Sequence, residues 1–245
     1  MKTTRKSWYL YLPLLLSVLI LSSFYQRNEK VRGNGQLKEE TRPAEPFKEI
    51  STSGNYKVVI QQGNNHSIQL EAEENLLPYI ITEIQGDELK IYTKRGYNIN
   101  PTKTITVNVT LQQIAALKAS GAGGFYSKGT LKSDEIELSC SGSTGADLDV
   151  DTRKMEVSLS GSSNIKLKGS ATEAEYKISG SADIAAFDLV GDDVEVKISG
   201  SGNANVTANK KLDVKVSGSG SVKYKGTPGS VDQRVSGSGR ISKVS

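Results

Sequence analysis

One short phrase, a serine–glycine step flanked by small residues, recurs seven times in the C-terminal half of this 245-residue chain. Its first glycines are Gly121, Gly142, Gly161, Gly180, Gly200, Gly218 and Gly237, so successive spacings are 21, 19, 19, 20, 18 and 19 residues. A fixed period near 20 residues is typical of a solenoid in which each repeat adds one coil. The sequence therefore predicts an all-β fold, a parallel β-helix of about seven coils of about 19 residues over residues 119–245.

Apolar and polar residues alternate within each repeat. Val194, Val196 and Ile198 share one parity, and Glu195 and Lys197 share the other. Alternation with a period of two predicts strands with one face inward. The repeat glycines share the inward phase, so each marks either a corner with positive φ or a close approach of the opposite wall. The corner is favoured because serine and glycine form turns, and the bias of parallel crossovers favours a right-handed helix.

The outward positions form a candidate surface ladder. In-register stacking would place equivalent residues about 4.8 Å apart on neighbouring strands. The ladder predicts either a solvated, solubilising face or a stripe that binds a cation or another ligand. Aspartates 147, 149 and 151 are further candidates for such a cation stripe. Five residues before each glycine from Gly142 onward lies an acid: Glu137, Glu156, Glu175, Glu195, Asp213 and Asp232. Three residues before lies a position that becomes basic along the chain: Ser139, Ser158, Lys177, Lys197, Lys215 and Arg234. The serines of the candidate ladder come directly before the glycines from Gly161 onward: Ser160, Ser179, Ser199, Ser217 and Ser236.

Residues 1–25 have the composition of an export segment. Lys2, Arg5 and Lys6 precede an apolar stretch at residues 8–21, broken by Pro13 and Ser17. A basic start followed by an apolar run predicts a signal peptide or an N-terminal membrane anchor. In either case the bulk of the chain leaves the cytoplasm, for the periplasm, the outer membrane or the cell surface.

Three further segments follow. Residues 26–46 are polar, with two glycines and two prolines, and predict a linker or loosely docked lead-in. Residues 47–118 predict four to six strands that cap the N-terminal end of the solenoid, which would otherwise expose a sheet edge. The C-terminal end, residues 240–245, is only a weak cap. Another copy of the chain or another envelope protein could therefore add a strand there.

Reactive groups are sparse. His66 is the only histidine and lies in a predicted turn, and Cys140 is the only cysteine and has the inward phase. Such a chain lacks the ligands of a zinc site, and its net charge of +4 is too small to indicate nucleic acid. We predict no catalytic, cofactor or metal residue and therefore no enzyme. The alternative, a polysaccharide-processing enzyme on a β-helix, would have to draw on the carboxylates Asp183, Asp188, Asp192 and Asp193.

The chain resembles the head-GIN-domain family of Bacteroidetes-type bacteria, described as auto-transporter adhesins. The resemblance covers residues 31–245 and implies a β-helical cell-envelope protein, with no catalytic or binding residues to carry over. Its partner would be a glycan or a protein of the envelope or host, met through the repetitive face. The matching features are the export segment, the Ser-Gly coils, and residues 31–35, 42–47, 50–54, 58–63, 74–77 and 86–91.

Overall fold

A computed structural model describes residues 28–244 of the chain. The predicted signal peptide or anchor, residues 1–25, lies outside the described residues. Within them no helix is both long and apolar enough to span a bilayer. The described elements are one 3-10 turn, Leu77–Tyr79, and the strands β1 Glu29–Arg32, β2 Leu37–Arg42, β3 Glu49–Gly54, β4 Lys57–Gln62, β5 Ser67–Glu73, β6 Ile80–Gln85, β7 Glu88–Thr93, β8 Tyr97–Asn100, β9 Thr106–Leu111, β10 Ala116–Gly121, β11 Gly124–Gly142, β12 Gly145–Gly161, β13 Asn164–Gly180, β14 Asp183–Gly200, β15 Asn203–Gly218, β16 Ser221–Lys225, β17 Ser230–Gly237 and β18 Arg240–Lys243.

The C-terminal half is the predicted parallel β-helix. Strands β10 to β15 pair in parallel in sequence order, and β16 and β17 both stack on β15. The repeat glycines set the register, since Gly142 pairs with Gly161 and Gly161 pairs with Gly180. The all-β solenoid predicted from the glycine spacing is confirmed, and its right-handed sense stays a prediction.

The first coil lies earlier in the sequence than the repeat suggests. Strand β3 pairs in parallel with β10, which aligns Gly54 with Gly121, and β4 pairs in parallel with β11. The stack of coils therefore starts at Glu49, and not at residue 119 as the predicted domain boundary has it. The intervening residues 63–115 are an insertion into one coil, which hides the period from a search at fixed spacing.

That insertion builds the N-terminal end of the molecule. Strand β6 pairs antiparallel with β7, and β5 pairs antiparallel with both β2 and β9. Strand β1 pairs in parallel with β8. The segment of residues 28–46 is thus not the linker or loose lead-in that its polar composition suggests, because Glu29–Arg32 and Leu37–Arg42 lie in two paired strands. Composition is a poor guide here, since an edge strand keeps polar side chains on its exposed positions.

The core fills the interior of the coils. One inward column runs through Leu138, Val157, Tyr176, Val196 and Val214, which are neighbours in the strand register. These side chains are at most 1% exposed, so each coil rests on the next through apolar contacts. The alternation in the sequence predicts this column because the side-chain period of a strand is two.

The repeat glycines turn the corners of the coil. Gly180 has a φ of 125°, and a Cβ built on it would lie 2.6 Å from the carbonyl oxygen of Gly161. The same two features recur at Gly142, Gly161, Gly200 and Gly218. The preferred corner interpretation is confirmed. A close approach also exists, but it is to the backbone of the preceding coil and not to the opposite wall.

Candidate ligand-binding face

One wall of the solenoid carries three adjacent columns of outward side chains. Glu175 pairs in register with Glu156 and Glu195, Lys177 with Ser158 and Lys197, and Ser179 with Ser160 and Ser199. The pairing continues to Asp213, Lys215 and Ser217 and then to Asp232, Arg234 and Ser236. All the residues of the predicted surface ladder therefore lie on one face. The glycine register aligns them because it places the equivalent residues of successive coils directly beside one another on neighbouring strands.

The acidic column is half-buried and paired with the basic one. Lys197 Nζ lies 3.0 Å from a carboxylate oxygen of Glu175 and 2.9 Å from one of Glu195. Lys215 makes the next step, 3.4 Å from both Glu195 and Asp213. Each ammonium thus bridges two acids that would otherwise repel each other across neighbouring strands.

Glu175 shows the balance of forces in this column. Partial burial raises its pKa, but hydrogen bonds from Lys177 and Lys197 outweigh burial, so the pKa is lowered overall. The pKa of Lys197 is raised by hydrogen bonds to Glu195 and Glu175. Both groups stay charged at neutral pH, and the acidic column serves as the counter-charge of the lysines.

The cation-stripe interpretation finds no support in this geometry. Within residues 28–244, no group of three His, Cys, Asp or Glu side chains is arranged to hold a metal ion. Asp149 pairs with Lys168 at 3.3 Å, and Asp151 accepts a hydrogen bond from Ser170 at 3.0 Å. Two of the four aspartates named for an enzyme are similarly engaged in separate contacts, Asp183 with Asn203 at 2.8 Å and Asp192 with Lys210 at 2.8 Å.

The serine column is the exposed part of the face. The side chains at Ser160, Ser179, Ser199, Ser217 and Ser236 are all exposed. In the described part of the chain, their hydroxyls form no side-chain hydrogen bond. A serine hydroxyl both donates and accepts, so each of these positions offers an unused pair of hydrogen-bonding functions.

The serine and basic columns together line one continuous trough of about 1830 Å³. It extends from the hairpin of β6 and β7 to the last coil, over every coil between them. Small-molecule pockets usually enclose about 300–1,000 Å³, so this trough exceeds that range and is elongated as well. Its form suits an extended ligand better than a compact one.

The N-terminal end of the trough contains residues that the sequence did not single out. Ile81, Tyr92, Lys94 and Arg95 line it, together with Lys118 from β10. The Tyr92 hydroxyl donates to Glu83 at 2.7 Å, which fixes the ring at the edge of the hairpin. The sequence Ile50-Ser-Thr-Ser-Gly54 could have indicated that the trough continues towards this end. It matches the later coils, so it extends the columns of outward side chains to the N-terminal cap.

The two single reactive residues are not arranged for catalysis. Cys140 is a buried core residue, as predicted, and burial raises the pKa of its thiol. His66 packs edge-on against Phe47, with 5.2 Å between ring centroids. Neither residue has an acid or a base arranged beside it as a nucleophilic pair requires.

The fold and the face together define a class: a parallel β-solenoid with one long, serine-lined trough. The family model described as "Putative auto-transporter adhesin, head GIN domain" matches residues 46–228. The chain belongs to this family, and the resemblance noted from the sequence is confirmed. The family is described as one of adhesins and not of enzymes, and an adhesin acts at the cell envelope or outside the cell.

Several solved bacterial structures have the same fold. A putative adhesin from Bacteroides fragilis superposes with a TM-score of 0.83 over 87% of this chain and 100% of its own, at 21% identity. A putative adhesin from Parabacteroides merdae gives 0.71 over 89% and 100%, at 27% identity. A putative lipid binding protein from Parabacteroides distasonis gives 0.74 over 89% and 100%, at 26% identity. Among curated proteins there is no match.

Proposed function

We propose that this chain is an exported cell-envelope adhesin that binds a linear glycan along the trough. The observation that carries the proposal is the continuity of the trough, which runs over the coils with a serine at the same position of each. Membership of the adhesin family supports a binding role, and the chemistry of the lining supports the class of ligand.

The lining suits sugar oxygens. A glycan presents hydroxyl, ring and glycosidic oxygens along its whole length, and these donate and accept hydrogen bonds. Serine hydroxyls can match both functions, and lysine ammonium groups donate to oxygen acceptors. Because Lys177, Lys197 and Lys215 of the basic column are already paired with carboxylates, the trough does not depend on a highly charged ligand. A neutral or weakly acidic polysaccharide fits this lining.

The regular spacing also favours a polymer. Eight serines occupy the column from Ser53 to Ser236, one for each coil. Seven steps of about 4.8 Å give a track of roughly 34 Å. A single sugar would reach only one or two coils, whereas a chain could repeat the same contacts along the track. Repetition lets individually weak contacts sum to a useful affinity.

Binding to oligosaccharides tests this proposal directly. Full-length protein in detergent is titrated with neutral β-linked glucan hexamers and with polygalacturonate hexamers, and affinity is measured by calorimetry. The variant Ser179→Gln/Ser199→Gln places two longer side chains in the trough. We expect at least one of the two oligosaccharides to bind, and this variant to weaken that binding by about tenfold or more.

A matched control lies two residues further along each coil. Ser181→Gln/Ser201→Gln makes the same chemical change at exposed serines that do not line the trough. This control should bind as the unsubstituted protein does. Equal loss in both variants, or no binding of either oligosaccharide, would contradict a glycan site in the trough.

A further inference from the structure

The last coil ends in an unpaired strand. Strand β17 pairs with β15 on one side, and no described strand pairs with its other side. All eight residues of β17 are exposed, and Val231 and Val235 are 42% and 45% exposed although they continue inward apolar columns. An uncovered edge with apolar residues is a template for another strand.

The free backbone groups of β17 belong to its inward-facing residues. Ser238 N donates to Gly218 O at 2.9 Å, and alternate residues of a parallel strand bond to the same neighbour. Arg234 and Asp232 lie four and six residues before Ser238, so their backbone groups also bond to β15. The N–H and C=O groups of Val231, Gln233 and Val235 point to the open edge.

The side chains of this edge are self-complementary. The sequence Val231-Asp-Gln-Arg-Val235 reads symmetrically about Gln233, with an acid on one side and a base on the other. Asp232 and Arg234 both face outward and lie 2.8 Å apart in an ion pair on one strand. An antiparallel copy centred on Gln233 would oppose Asp232 to Arg234 and Val231 to Val235.

We propose that two copies of this chain dimerise by antiparallel pairing of their β17 strands about a two-fold axis through Gln233. The residues with free backbone groups, Val231, Gln233 and Val235, then face one another and exchange both hydrogen bonds of each pair. The two Asp232–Arg234 contacts fall at the intervening positions, where cross-strand side chains are closest. The exposed valines are covered by their counterparts in the second copy.

The opposite end of the molecule supports this arrangement. There, β6 closes the same sheet by antiparallel pairing with β7, and Glu83 stands opposite Lys90. A second copy of β17 would close the C-terminal end in the same way, with an acid again opposite a base. Because the two-fold axis is perpendicular to the sheet, both troughs would open on one face of the dimer, which is the geometry of a bivalent binder.

Charge reversal tests both the dimer and its register. Light scattering on full-length protein in detergent, from about 1 µM to about 1 mM, should show a concentration-dependent dimer. Asp232→Arg or Arg234→Asp alone opposes like charges twice in the dimer and should weaken it about tenfold or more. The double variant, or a mixture of the two single variants, restores opposite charges and should restore the dimer.

Disulfide formation gives a second measurement of the register. In the proposed pairing, a cysteine in place of Asp232 lies opposite a cysteine in place of Arg234, at a Cα separation of about 4.5 Å that a disulfide can span. A mixture of Asp232→Cys and Arg234→Cys proteins should give cross-linked dimers, and neither variant alone should. Cys140 is buried and gives the background.

The outcomes separate cleanly. A dimer that survives both single reversals, a monomer at every concentration, or equal cross-linking of the single-cysteine variants would each overturn the proposal. The dimer is measured without any sugar, so its result does not depend on whether the trough binds a glycan.

Discussion

The carboxylate of Glu73 is held by Thr102 through two hydrogen bonds, 2.7 Å from the hydroxyl and 2.8 Å from the backbone N–H. The N–H of Gly35 donates to the same carboxylate at 2.6 Å, so one buried acid ties the loop between β1 and β2 to the loop before β9. A Cβ on Gly33 would lie 2.0 Å from this carboxylate, so that glycine leaves room for it. This contact explains why residues 28–46 are docked although their composition is that of a linker.

The pH dependence of stability should reflect Glu73. Burial alone would raise the pKa of this carboxyl. The hydrogen bonds from Thr102, Gly35 and Lys103 outweigh burial and lower the pKa to about 2. A depressed pKa stabilises the fold fully above the unfolded value of about 4.5, and this contribution is lost as the pH falls towards 2. Melting temperatures of the unsubstituted protein should therefore fall across that window. In Glu73→Gln the drop should be smaller, and the melting temperature at pH 7 should be several degrees lower.

The neighbouring residue offers a control for this prediction. Glu74 makes one exposed ion pair with Lys38 at 2.7 Å, so Glu74→Gln should scarcely change the melting temperature at pH 7. Equal melting temperatures of the two variants would show that the buried hydrogen bonds of Glu73 stabilise the fold no more than an exposed ion pair does.

Corner glycines should be intolerant of alanine. Gly180→Ala requires a φ of 125° in a residue with a Cβ, and that Cβ would meet the carbonyl oxygen of Gly161 at 2.6 Å. We expect a loss of about 2–4 kcal/mol in the free energy of unfolding, from the backbone strain and the clash together. Chemical denaturation followed by circular dichroism measures it.

Gly129→Ala separates these two causes. Gly129 has a φ of 86°, but a Cβ on it would meet nothing within 4 Å. Its loss should be about 1 kcal/mol, from strain alone. If the two alanine variants were equally unstable, the close approach between coils would not limit the residue at the corner.

The sequence predicts the solenoid well because its repeat is a geometric constraint. Gly142, Gly161 and Gly180 must recur at the corner of each coil, and the alternation between them fixes which side chains face outward. The ladder of Glu175, Lys177 and Ser179 follows from the spacing alone. The trough does not, because much of its N-terminal part comes from the hairpin of β6 and β7, which lies within the long insertion.

The cap is harder to predict for a related reason. Its antiparallel strands depend on long-range pairing, and the hydrogen bonds of Glu73 join segments 29 and 38 residues away in sequence. No local period records such contacts. The hairpin from β6 to β7 could be predicted, since its turn carries Gly86 with a φ of 63°, but its position beside the first coil could not.

Replacing one acid of the ladder with lysine should destabilise the fold, because the neighbouring lysines lose their ion-pair partner. Glu175 pairs with Lys177 and with Lys197, each at 3.0 Å. Glu175→Lys replaces both attractions with repulsion and should cost about 1–2 kcal/mol in the free energy of unfolding. Because these groups are partly exposed, the difference from the unsubstituted protein should shrink in 1 M salt, where the Debye length is about 3 Å. A loss that salt leaves unchanged would indicate lost packing and not charge.

Cys140 should report on the opening of the solenoid. Its side chain is 3% exposed, and burial raises the pKa of the thiol, so the reactive thiolate is both scarce and shielded in the folded protein. We expect alkylation by iodoacetamide at pH 8 to be at least about 100-fold slower in the folded protein than in denaturant, because attack requires an opening of the coils. Mass spectrometry of timed samples measures both rates. Ser141→Cys in a Cys140→Ala background places the thiol one residue along, on the exposed serine column, and should react nearly as fast as the unfolded chain. Rapid alkylation of Cys140 in the folded protein would show that the coil containing β11 opens readily. The outward side chains of the face would then not be held in a fixed register.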